Sequence, residues 1–97
     1  MRTLFLRPAA KADLRRISRQ SKERWGAAQA FSYISGITAS LSRLTQMPEL
    51  GVGRSDLGSG YRRLGVGAHA IFYRVEHDRI EVIRILHQRM DADTHLS

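Results

Sequence analysis

The chain reads as an α+β protein: an N-terminal strand, an α-helical hairpin and three more strands, in the order β-α-α-β-β-β. The hairpin is expected to pack on one face of an antiparallel sheet. Three observations predict this. A short apolar run at the N-terminus stops at a proline. Two segments with helical periodicity meet at Trp25-Gly26. A final stretch, Tyr61 to Asp91, alternates strand-forming residues around one tight turn.

Ninety-seven residues make one domain, 1–97, with a small core. Apolar content of 42% and charged content of 26% are those of an ordinary globular chain. The absence of cysteine excludes disulfides and thiolate chemistry and fits a reducing compartment. No apolar run approaches the roughly 20 residues of a membrane span, and no signal-peptide core follows Arg2 and Arg7. A cytosolic protein is expected. Net charge is +7, concentrated in residues 1–26, where eight Lys/Arg face two acids. Such a surface favours an acidic partner.

Thr3 to Arg7 reads as a strand ending at Pro8, because a proline drives the preceding residue out of the helical region. Pro8 then opens a helix that runs to about Arg24. Ala10, Leu14, Ile17 and Ser21 share one face of it. Lys11, Arg15, Arg19 and Lys22 share another, within an arc of about 80°. Gly26 suits the end of this helix, and Trp25 reads as a packing anchor at the corner. The second helix, about Ala27 to Gln46, has its apolar positions at Ala27, Ala30, Phe31, Ile34, Ile37, Leu41 and Leu44. Met47 to Gly60 reads as a long loop.

Tyr61 to Val66 is the next strand. Ala68 to Glu76 and Arg79 to Arg89 form a hairpin about His77-Asp78. A two-residue loop sets Glu76 opposite Arg79, Val75 opposite Ile80 and Arg74 opposite Glu81. The last pair places opposite charges across the ladder. Both strands are apolar on both faces and read as inner strands.

His69, His77, His87 and His95 have no metal-ligand spacing, and no phosphate-binding glycine loop or nucleophile motif is present. No metal or cofactor is expected. What remains is a polar cluster, His87-Gln88-Arg89-Met90-Asp91, with His95 beyond it. Imidazoles and an arginine suit proton transfer and phosphate binding, and they equally suit the polar rim of a sheet.

The stretch RRLGVGAHAIFYRVEHDRIEVIRILHQRMD resembles the C-terminal half of ParE toxins, of the ParE/RelE superfamily of toxin–antitoxin modules. LRPAAKADLRRIS and ERWGAAQAFSYI resemble that family's first helix and helical turn. The resemblance implies a RelE/ParE-like fold and a cytosolic toxin that inhibits DNA gyrase without catalysis of its own. It also implies a ParD-like ribbon-helix-helix antitoxin as partner. In the RelE-like branch, which cleaves mRNA on the ribosome, a key arginine falls at Ala70 here. Arg89 keeps a second arginine position, and His95 falls near the tail aromatic or imidazole. On this resemblance the target contact is assigned to His87, Arg89, Met90, His95 and Leu96. Antitoxin steering is assigned to Lys11, Arg15, Arg19 and Lys22, with the antitoxin lying along the helical hairpin and extending a sheet edge.

Overall fold

The computed structural model describes residues 2–90 and 92–96; Asp91, part of the polar cluster, lies outside them. Strand β1 (Thr3–Leu6) leads through Arg7 into helix α1 (Pro8–Trp25). Gly26, with φ at +93°, turns the chain into helix α2 (Ala27–Leu44). After a 3-10 turn at Pro48–Leu50 come β2 (Val52–Gly53), β3 (Tyr61–Val66), β4 (His69–Val75), β5 (Arg79–His87) and a final turn of helix, α3 (Ala92–Leu96).

The five strands lie in the order β1-β5-β4-β3-β2. The hairpin register is the one read from the sequence: Arg74 opposite Glu81 and Val75 opposite Ile80, with the Glu76 amide bonded to the Arg79 carbonyl. β4 and β5 are inner strands. The sheet is mixed rather than purely antiparallel, because β1 pairs parallel with β5, Thr3 beside Arg79 through Leu6 beside Val82. The helical hairpin between them supplies the crossover that parallel strands require.

Three local readings are corrected. Met47 to Gly60 is not featureless: it carries the 3-10 turn and a short edge strand. The turn is held by Tyr73, whose hydroxyl donates to the Pro48 carbonyl at 2.7 Å and accepts the Gly51 amide at 2.8 Å. Only glycine fits at position 51, where a Cβ would lie 2.7 Å from both the Arg63 carbonyl and the Tyr73 hydroxyl. Second, Arg74 does not ion-pair with the opposed Glu81. Arg74 bonds Glu76 at 3.2 Å, while Glu81 takes Arg7 at 3.0 Å, drawn in by the parallel pairing of β1. Third, Phe31 is 76% exposed, off the buried stripe its spacing suggested, while Trp25 at the corner is 49% exposed with its ring 6.4 Å from that of Tyr33.

The main core lies between hairpin and sheet. Ala10, Ile17, Ile37, Leu41 and Leu44 meet Ile71, Tyr73, Ile80, Val82 and Ile85. Val82 and Ile85 are three apart in a strand yet share this face, which strict alternation forbids. A β-bulge reconciles them: Tyr73 faces Val82 and Phe72 faces Arg84, leaving Ile83 as the extra residue. The other face carries a smaller cluster, Ala70, Phe72, Leu86 and Ala92, against which Leu57 and Leu96 pack.

Candidate functional site

β1 ends opposite Val82, whose carbonyl receives the Arg7 amide at 3.0 Å. Beyond the bulge, β5 has no strand on that flank. α1 closes it with one carboxylate. Asp13 accepts the Ile85 amide at 2.9 Å, Arg84 through Nε at 2.8 Å and Nη2 at 2.9 Å, and Arg16 at 2.7 Å. Burial alone pushes the Asp13 carboxyl up. The hydrogen bonds from Arg84, Ile85 and Arg16 outweigh it and hold the group below the usual carboxylate range. Arg84 uses its remaining nitrogen on the His95 carbonyl at 3.1 Å. A side chain from α1 thereby sets both the end of β5 and the seat of α3.

The end of β5 presents His87 between two clefts. One, of about 680 Å³, runs under the C-terminal end of α1 and includes Trp25, His69, His87 and Arg89. The other, of about 210 Å³, lies around Ala70 and includes Arg54, Arg63, His87, Gln88 and Met90. Tyr33 donates to or accepts from His69 Nδ1 at 2.6 Å and accepts the Ala68 amide at 3.0 Å. The ring edge of His69 meets His87, centroids 5.4 Å apart. Burial, and then the nearby His87 and Arg16, hold the His69 imidazole below its usual range, so it is neutral near pH 7.

The assigned target residues fall on the end of β5, the turn after it and α3. His87, Arg89 and Met90 cluster at the exposed turn after β5. His95 is exposed on α3, and its carbonyl is held by Arg84. Leu96 is half-buried on the small apolar cluster, where it anchors α3. Lys11, Arg15, Arg19 and Lys22 are all exposed along α1.

Asp13, Arg63, Arg84 and Tyr33 escaped the sequence reading. Asp13 carried a signal: it lies three residues after Ala10 and four before Ile17, so a lone acid sits on the apolar side of its helix. Arg63 reaches its place through strand pairing and Tyr33 through the packing of α2 over the β3–β4 turn, neither of which a local pattern encodes.

A small mixed sheet under one helical hairpin, with a cationic helix and a polar end to its longest strand, defines the class: a toxin of the RelE/ParE-like fold. It superposes on the chromosomal ParDE toxin–antitoxin system of P. aeruginosa with a TM-score of 0.77, at 26% identity over 90% of this chain and 96% of that one. The RelBE2 toxin–antitoxin complex of Mycobacterium tuberculosis shares the fold alone, with a TM-score of 0.57 at 20% identity over 90% of this chain and 98% of that one. The particular family follows from sequence. Residues 4–92 match the model for the ParE toxin of the parDE type II toxin–antitoxin system. The chain is 42% identical to Toxin ParE1 of Caulobacter vibrioides over 99% of both. It belongs to the ParE toxin family.

Proposed function

We propose that this chain acts in the cytoplasm on DNA gyrase, without chemistry of its own, and is neutralised by a ParD-like ribbon-helix-helix antitoxin. The observation that carries the reading is family membership across residues 4–92. Two features support it. The sheet position where the RelE-like branch places an arginine is Ala70, buried beside Phe72 and Leu86. The turn after β5 projects Arg89 and Met90 outward, a fork and an apolar knob suited to another protein's surface. The expected contact is His87, Arg89 and Met90, with His95 at its margin and Leu96 as support.

The antitoxin is expected on the helical hairpin. Lys11, Arg15, Arg19 and Lys22 steer an acidic segment, and the exposed ring of Phe31 gives it an apolar anchor. High salt is expected to slow this association.

One observation favours a ribosome-dependent endoribonuclease instead. Arg63, which donates to Gln88 at 3.1 Å, brings a cation to the cleft around Ala70 within reach of His87. The test runs both assays on the same preparation. Plasmid supercoiling by pure gyrase should stop, with cleaved complex accumulating. Primer extension in a translating extract should show no new codon-specific 5′ ends. Cut transcripts with normal supercoiling would reverse the assignment.

A further inference from the structure

We infer that the cleft beneath the end of α1 is a binding site for a nucleoside phosphate, its phosphate held by His69, His87 and Arg89 and its base stacked on Trp25. Neither gyrase nor the antitoxin is needed for this inference. It rests on which atoms of the two imidazoles are already occupied.

The backbone amide of Arg89 donates to His87 Nδ1 at 3.1 Å. A neutral His87 therefore carries its proton on Nε2. At His69, Nδ1 lies 2.6 Å from the Tyr33 hydroxyl, which already accepts the Ala68 amide at 3.0 Å and has one hydrogen to give. Its other acceptor, the Val66 carbonyl, stands at 3.4 Å. The site assigns that hydrogen to the 2.6 Å contact in place of the 3.4 Å one, which leaves the His69 proton on Nε2 as well. Burial keeps this ring neutral, and it remains a donor. Both histidines line the cleft, together with Arg24 and Arg89. Glu23 is the sole acid among the described residues of the lining. A wall with two N–H donors and two cations on it is built for an oxyanion.

The size and the remaining wall favour a phosphate that carries a base. About 680 Å³ falls within the roughly 300–1,000 Å³ of small-molecule sites, far more than a lone carboxylate or phosphate fills. Trp25 is half exposed at the rim, with the Arg24 guanidinium 5.8 Å from its ring centre and Tyr33 tilted behind it at 6.4 Å. An indole backed by another ring and flanked by a cation is a stacking platform for a base.

Trp25 is the sole tryptophan, so its fluorescence reports this cleft alone. The full chain is titrated at low salt with inorganic phosphate, thymidine monophosphate, a short oligothymidylate and a glutamate-rich peptide, with imidazole 15N signals followed in parallel. Thymidine monophosphate is expected to quench Trp25, shift both His69 and His87, and bind about tenfold tighter than inorganic phosphate, the gain of one stacked base. Trp25→Ala should erase that tenfold and leave phosphate binding intact. Arg89→Ala, in an exposed turn with no fold to disturb, should weaken both ligands. An oligothymidylate that binds more tightly, with steep salt dependence, identifies a single strand as the source of the phosphate; equal affinity identifies the free nucleotide. Equal binding of phosphate and nucleotide, silent histidine signals, indifference to Arg89→Ala, or tighter binding of the acidic peptide would each overturn the site.

Discussion

From Arg79 to Val82, β5 has a strand on each side, β1 parallel on one flank and β4 antiparallel on the other. From Arg84 to His87 it keeps β4 alone, and α1 stands where β1 would continue. The first half is held by repeated backbone bonds, which any sequence able to extend can make. On the flank away from β4, the second half is held by one side chain, the Asp13 carboxylate, on the Ile85 amide and the Arg84 guanidinium. The bulge at Ile83 divides them. The lesson is about where function has room. A ladder occupies its backbone groups and leaves its edge no freedom. Where the ladder stops, individual side chains must finish the sheet, and the clefts around His87 open there.

The largest test of this contrast is Asp13→Ala. It strands a largely buried guanidinium and an inner-strand amide together. A loss of about 3 kcal/mol is expected, at the low end for breaking a buried ion pair because Arg84 keeps some contact with water. Urea unfolding measures it. Thr3→Ala, on the laddered half, should stay within about 0.5 kcal/mol. Equal losses at the two positions would erase the distinction. Acid sharpens it. The folded-state pKa of Asp13 is depressed, so its contribution is full above the usual carboxylate range and disappears as pH falls through the folded value. Asp13→Asn should flatten the acid limb of the stability curve.

Next in size is Tyr73→Phe. Tyr73 lies opposite Val82, in the laddered half, and its hydroxyl anchors the connector at both Pro48 and Gly51, beside the Arg62 guanidinium on the Gly51 carbonyl at 2.9 Å. Its removal leaves the Pro48 carbonyl and the Gly51 amide buried without that partner, at a cost of roughly 1–3 kcal/mol. The damage should stay in the connector: faster hydrogen exchange at Gly51, with protection in β5 unchanged. Exchange that spreads along β5 would mean that the two halves are not separable.

A smaller effect belongs to His69, beside the unladdered half. Its imidazole is held below the usual range by burial first, so the unfolded chain takes up the proton before the folded one does. Stability is therefore full above the ordinary imidazole pKa and declines as pH falls through it, until the folded ring also protonates. His69→Gln should flatten that decline in thermal midpoints without altering the acid limb set by Asp13. A decline of unchanged slope would assign it elsewhere.

The same division governs what the sequence discloses. Strand β1, both helices and the β4–β5 register follow from periodicity, a proline and a two-residue turn, all of them local signals. Parallel pairing of β1 with β5 joins residues about 75 apart, and nothing in Thr3 to Leu6 names its neighbour. That unseen pairing moved Glu81 from Arg74 to Arg7. The bulge at Ile83 is hidden for a related reason: Ile80 to Leu86, with Glu81 and Arg84 among them, carries apolar residues on both faces and reads as an inner strand with or without a shift of faces. Phe31 misled because helical spacing identifies a stripe without saying where the sheet beneath it ends. At the site, His87, Arg89 and Met90 were legible as a cluster. Their support, Asp13 through Arg84, was not, since a polar residue on a helix usually points to water.

The smallest expected change in stability is the most informative about function. Arg89 is exposed in the turn after β5, and the bond it gives the fold comes from its backbone amide, to His87 Nδ1. Arg89→Ala keeps that amide, so its thermal midpoint should match the parent, within about 0.5 kcal/mol. On the proposed gyrase reading, inhibition should nevertheless weaken by tenfold or more, a loss of about 1.4 kcal/mol or more, as when a central interface arginine is truncated. Asp13→Ala should lose inhibition only in proportion to the fraction unfolded. If Arg89→Ala lowers midpoint and potency together, the turn is a structural element and the target contact lies elsewhere. If potency alone falls, the unladdered end of β5 is where this toxin meets its target.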